Sequence, residues 1–262
     1  MYSKKKDPKT SAMVLLLTVM ICSSIFFQSC GGDQPASDDT PEIGSIMHFG
    51  GYDWIILDIE DEKALLITKD IIMFDLYDES NAPYVQGVSW ADCTLRKYLN
   101  TGFYNEFSND EKSRILETSN TYFSDSNKTT SSVRDQIFIL DISEAEKYFE
   151  NAYARTAVFN VSEQHLKNEA EKRYNESLEY GAGNTYEFYY GEFKNNNGKE
   201  GAWDLRSFYL WGDQPHMSRV GKNGIVYEDY AEDLVWEGEG LSSGGDNILP
   251  CGQRPAMWIK LK

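Results

Sequence analysis

Gly240-Leu241-Ser242-Ser243-Gly244 has the G-x-S-x-G spacing of a hydrolase nucleophile elbow, in which a strand-turn-helix bend exposes the serine to a histidine. The flanks here are WEGEG and GDNILP, which favour a loop, so the stretch reads as a Gly/Ser loop and not as a nucleophile. His48, His165 and His216 lie far apart, and none belongs to an H-x-x-x-H or Cys-His pairing of the kind that holds zinc. The acidic run EDYAEDLVWEGE lacks the D-x-D-x-D-G ladder of a calcium loop. No metal, cofactor or catalytic set is expected on these grounds.

The arginines carry more. Arg96, Arg206 and Arg254 each sit in a largely apolar motif, where a charge must find a partner or pay a desolvation penalty of several kcal/mol. One reading gives them backbone carbonyls or buried carboxylates such as Asp92 or Asp204. The other makes a recessed site for an anionic or sugar ligand from Arg206 and Arg254, with Trp90, Trp203 and Trp211 as stacking platforms.

The start of the chain is an address. MYSKKKDPKTSAMVLLLTVMICSSIFFQSC has a basic opening, an apolar run from Ala12 to Phe27 and small residues around a cysteine, the anatomy of a secretory signal. Phe27-Gln28-Ser29-Cys30 resembles the lipobox of bacterial lipoproteins, which implies a signal peptide over residues 1–29, acylation of Cys30 and a flexible tether over 30–44. The expected home is the bacterial cell envelope, lipid-anchored at the outer membrane or cell surface, with the membrane as partner through Cys30. In an exported chain Cys93 and Cys251 are the remaining cysteines that could pair as a disulfide.

Charge excludes another class of partner. The formal net charge is -17, and the first 29 residues hold four lysines against one aspartate, so the mature part is more acidic still. Such a surface repels phosphate backbones, and nucleic acid is not an expected partner.

The elements that must position these residues begin at Ser45. SIMHFGGYDWIILDIEDEKALLITKDIIMF reads as three strands joined by tight turns, with Gly50-Gly51 suited to a hairpin. Leu95, Tyr98 and Leu99 share a helical face, and Ser108 with Glu111 makes a capping box. DQIFILD is strand-like, and Ser143 with Glu146 offers a second box before EAEKYFEN. SEQHLKNEAEKRYNESLEY reads as an exposed helix ended by Gly181, and KNG before IVYE suggests another hairpin. Met257, Ile259 and Leu261 alternate with Trp258, Lys260 and Lys262 as a closing strand, which Pro255 and Arg254 set up by favouring extended backbone. Strands at both ends with short helices between them predict a single α+β domain over 45–262.

Five phrases, FGGYDWIILDIEDEKALLIT, SWADCTLRKYLNTGFYNEFSNDEKSRI, DQIFILDISEAEKYF, WDLRS and GQRPAMWIKL, stand in the order of similar phrases in the domain of unknown function numbered 6273. The resemblance spans most of Ile46 to Leu261. The chain departs from the family's Trp-Trp-Leu-Arg-Ser-Pro phrase with Asp204 for the second Trp and Phe208 for Pro, and residues 162–180 look like a helical insertion. A leucine-arginine strand, a hairpin and a closing arginine strand are similar to the C-type-lectin-like architecture of formylglycine-generating enzymes. Their close redox cysteine pair has no counterpart here, and DQPHM does not match the calcium tripeptides of sugar-binding C-type lectins. The resemblance implies a C-type-lectin-like domain with no established reaction. The expected function is a non-catalytic binding module for glycan or surface protein; the alternative is a cell-surface enzyme acting on polysaccharide or cell wall through an unrecognised carboxylate pair.

Overall fold

A computed structural model describes residues 40–74, 89–124, 129–179, 183–211, 214–227 and 251–262, without the side chains of 123–124 and 208–217. The signal, Cys30, the G-x-S-x-G stretch, the acidic run and Gly181 lie outside the described residues.

In chain order the elements are β1 (Ile46–Phe49), β2 (Tyr52–Glu60), β3 (Lys63–Thr68), β4 (Met73–Phe74), α1 (Thr94–Tyr98), α2 (Tyr104–Glu106), α3 (Asn109–Lys112), β5 (Ile115–Leu116), β6 (Thr118–Ser124) and β7 (Thr129–Asp135). There follow α4 (Ile142–Tyr148), α5 (Ala152–Arg155), β8 (Ala157–Val158), α6 (Glu163–Glu179), α7 (Tyr186–Asn196), β9 (Glu200–Gly201), β10 (Trp203–Trp211), β11 (Gln214–Val220), β12 (Val226–Tyr227), β13 (Gly252–Gln253) and β14 (Ala256–Lys260). The fold is α+β.

One sheet runs β1-β2-β3-β14-β5 and a second runs β12-β11-β10-β13-β4, with β6-β7 and β8-β9 as separate pairs. The closing strand is therefore interior: β14 pairs antiparallel with β3 on one side and β5 on the other. Met257 and Ile259 are fully buried, while Trp258 is half-buried and Lys260 exposed, as the alternation predicts. Burying each of those two apolar side chains is worth about 1.5–3 kcal/mol.

The first three strands and the Gly50-Gly51 turn stand where expected, both glycines at positive φ. A Cβ on Gly50 would lie 2.1 Å from the Phe107 ring, so the turn also needs glycine for space. The Ser108–Glu111 capping box closes both ways, and Leu95 and Leu99 are buried where α1 widens into a π turn, Leu99–Phe103.

Two local expectations are corrected. DQIFILD is not a strand: β7 ends at Asp135, and Phe138 makes a single bridge to Ala256 while Ile137 to Leu140 pass through the core. Helix α4 starts two residues earlier than its proposed box, because Asp141 and Glu144 cap it reciprocally; a carboxylate at the N-cap competes well with Ser143 for the free N–H groups. Helix α6 matches the expected exposed helix, yet Leu166 and Ala170 bury a narrow stripe and pack it on the core.

Candidate functional site

The arginines turn inward. Arg254 is fully buried, and its Nε and Nη2 donate to Thr68 O at 3.0 and 2.8 Å, Nη2 also to Lys69 O at 3.1 Å. Its guanidinium lies 4.9 Å from the Trp203 ring centroid. Burial pulls the Arg254 pKa down, and the charge of Asp70 opposes the shift. Arg206 donates to Thr121 O, Ile139 O, Glu144 and Asp141, so it clamps the capping box of α4 from inside.

Asp135 is the partner of Arg96, where Asp92 and Asp204 had been the candidates. It accepts from Arg96 Nε at 2.6 Å, Trp90 Nε1 at 2.9 Å and Asn120 Nδ2 at 2.9 Å. Asp92 instead accepts from Ser89 Oγ. The carboxylate of Asp204 accepts from Gln253 Nε2 at 2.8 Å and from the Cys251 thiol, and burial raises its pKa against the pull of Arg219.

These placements answer the stacking expectation. Trp90 and Trp203 are fully buried with their indole N–H groups spent on Asp135 and Arg155 O, so neither offers a ring face at the surface. Arg206 and Arg254 have their donors on carbonyls and carboxylates of the core, as the structural reading of these arginines holds. Trp211 belongs to β10, with its side chain outside the described part.

Cys93 and Cys251 are not joined to each other as a disulfide. Each has its own polar neighbour: Cys93 Sγ donates to Trp90 O at 3.3 Å and caps α1, and Cys251 meets Asp204. Burial, then the charge of Asp204, pushes the Cys251 thiol up to about 12. A thiol held protonated in this way is a poor nucleophile.

A cleft of about 210 Å³ lies elsewhere, lined by His48, Gly51, Tyr52, Asp53, Asp70, Ile72 and Asn160. Three distant stretches build it. The β1–β2 register sets His48 opposite Asp53, and Nδ1 lies 3.1 Å from Asp53 Oδ1. Lys69 N donates to Asp53 O, which ties the turn after β3 to the hairpin and brings Asp70 alongside. A parallel bridge between Ile71 and Phe159 then sets Asn160 beside Asp70, and Asn160 Nδ2 donates to Asp70 Oδ2 at 3.0 Å.

Tyr52 makes one wall. Its ring packs edge-on to Trp54 and against Phe103, while its hydroxyl donates to Glu106 Oε2 at 3.0 Å. Burial first, and the Glu106 carboxylate second, raise its pKa, so the phenol stays neutral. The His48 and Asp53 side chains are 70% and 50% exposed, so the cleft is open to solvent. Among the described residues no serine or cysteine lines it, and the Tyr52 hydroxyl is already committed to Glu106. Among the described residues no group of three or more His, Cys, Asp or Glu side chains is arranged to hold a metal ion.

Of these residues the sequence marked His48, as an isolated histidine, and Gly51, as part of a turn. The signal was nonetheless present: a two-residue Gly-Gly turn pairs Phe49 with Tyr52 and therefore His48 with Asp53. Nothing local marked Asp70 or Asn160.

A family model described as Domain of unknown function (DUF6273) matches residues 61–261. No curated protein and no solved structure matches the chain.

Proposed function

The chain belongs to the DUF6273 family, and from that premise we propose a lipid-anchored extracytoplasmic binding module that holds glycan at the His48–Asp70 cleft without turning it over. The observation that carries this reading is the lining: side-chain amide, carboxylate and imidazole groups converge around the edge of Tyr52 and Ile72, the mixture that hydrogen-bonds hydroxyls while an apolar wall takes the ring face. We read the architecture as C-type-lectin-like, on the support of the Leu205-Arg206 strand, its β10–β11 hairpin and the closing strand after Arg254. Anchoring at the envelope rests on the Ser29-Cys30 motif, and Cys30→Ser is expected to abolish lipid labelling.

Asp53 and Asp70 in one cleft favour a second reading, a glycosidase-like enzyme of the cell surface. Against it, neither carboxyl sits in an apolar enclosure of the kind that makes a general acid. One experiment separates the two. The full chain in detergent is passed over immobilised polysaccharides and assayed for reducing ends. Retention without product, lost in Asp53→Ala and Asn160→Ala, is the expected result; product release that vanishes in Asp53→Asn replaces binding with catalysis.

A further inference from the structure

The ligand class of the cleft follows from which hydrogen-bonding roles its walls leave open, given the glycan-binding reading above. A carboxylate only accepts, so the contact to Asp53 Oδ1 requires a proton on His48 Nδ1. Asp53 Oδ2 and Asp70 Oδ1 have no hydrogen bond among the described residues, since His48 and Asn160 engage the other oxygen of each pair. The open positions are thus predominantly acceptors.

Among the described residues no lysine or arginine lines the cleft. Arg254 interacts with the charge of Asp70, but it is fully buried and its hydrogen bonds run to the carbonyls of Thr68, Lys69 and Arg155. Two carboxylates without a lining cation create a negative potential at the mouth. The volume, about 210 Å³, is below the range of about 300–1,000 Å³ typical of drug-sized sites, which limits the occupant to a single ring or a comparable group.

We infer that the cleft selects one hydroxyl-rich or amine-bearing sugar unit, which supplies donors, and rejects uronic acids and other anionic sugars, which bring charge of the wrong sign. Like charges across an interface are the most effective discriminator available to such a site. Amine-bearing units gain twice, by donating and by charge, and that second gain is screened by salt.

The test uses the full chain in detergent and three sugars sharing one ring: glucosamine, glucose and glucuronate. Ligand-observed NMR reads direct binding, and displacement from the retained polysaccharide reads competition. Glucosamine is expected to bind at least ten-fold more tightly than glucuronate, with glucose between them, and the gap is expected to close in an Asp53→Asn, Asp70→Asn double variant. Glucuronate binding as tightly as glucosamine overturns the inference while leaving the binding reading intact, provided Asn160→Ala still abolishes retention. Failure of all three sugars to displace a ligand whose retention does depend on Asn160 overturns the single-ring assignment. Retention indifferent to Asp53→Ala and Asn160→Ala removes the cleft as a binding site and this inference with it.

Discussion

Arg254 and Thr68 are joined by two hydrogen bonds to one oxygen: Nε and Nη2 converge on Thr68 O at 3.0 and 2.8 Å, deep in the core between β3 and the closing strand. Thr68 N in turn donates to Pro255 O, so the arginine and its neighbour hold both backbone groups of one residue. Replacing Arg254 with alanine removes charge-assisted bonds to buried carbonyls and opens a cavity beside Trp203. The expected cost is on the order of 3 kcal/mol. Arg254→Lys is expected to recover less than half of it, because an ammonium cannot span the same fork. Thermal melts of the two variants check this, and a melting temperature equal to wild type for Arg254→Ala would refute this role of Arg254.

Asp135 offers a second test, because three donors meet on it, from α1, from β6 and from the turn before α1. Asp135→Asn keeps the shape but removes the charge that Arg96 faces and turns one acceptor into a donor opposite Trp90 and Asn120. We expect a loss of about 3 kcal/mol in denaturant unfolding, more than Arg134→Ala on the exposed pair with Glu117.

For Asp204 the expectation concerns pH. Burial raises its folded-state pKa above the ordinary 3.8, so the folded form binds the extra proton. Its contribution is most favourable below the unfolded value and is lost as pH rises through the folded one. Asp204→Asn is therefore expected to match or exceed the wild type at neutral pH and to lose that advantage towards pH 4. Melting temperatures of both proteins across this interval decide it; parallel curves would show that the carboxyl is not the cause.

The thiols predict a fourth result. With no bridge between Cys93 and Cys251, the melting temperature of the chain is expected to be indifferent to reductant. At pH 8 a thiol raised to about 12 holds far less thiolate than an ordinary one, so alkylation of Cys251 in the folded protein should be slower than after denaturation. Rapid labelling of Cys251 in the native state would contradict the burial that raises it.

Asp204 also shows how a buried carboxylate is accommodated. The side chains of Gln253 and Cys251, from the stretch just before the closing strand, donate to it. Sequence alone named Asp204 as a partner for an arginine; the β10–β11 register does set it opposite Arg219, but none of the three arginines first considered reaches it.

What the sequence determined by itself is local. Alternation at Met257 to Leu261, the Gly50-Gly51 turn, the Ser108–Glu111 box and the apolar stripe of α1 are each set by periods and caps a few residues long, and these stand in the fold. Burial of Arg206 and Arg254 was also legible, since a charge in an apolar motif must be neutralised in place. Tertiary structure alone decided who the partners are. Arg96 meets Asp135 rather than Asp92 because β7 returns alongside α1, and Asp70 meets Asn160 because Ile71 bridges Phe159, contacts between residues 39 and 90 positions apart. No periodicity encodes such pairs; they exist only once the closing strand has inserted between β3 and β5 and fixed where each loop must lie.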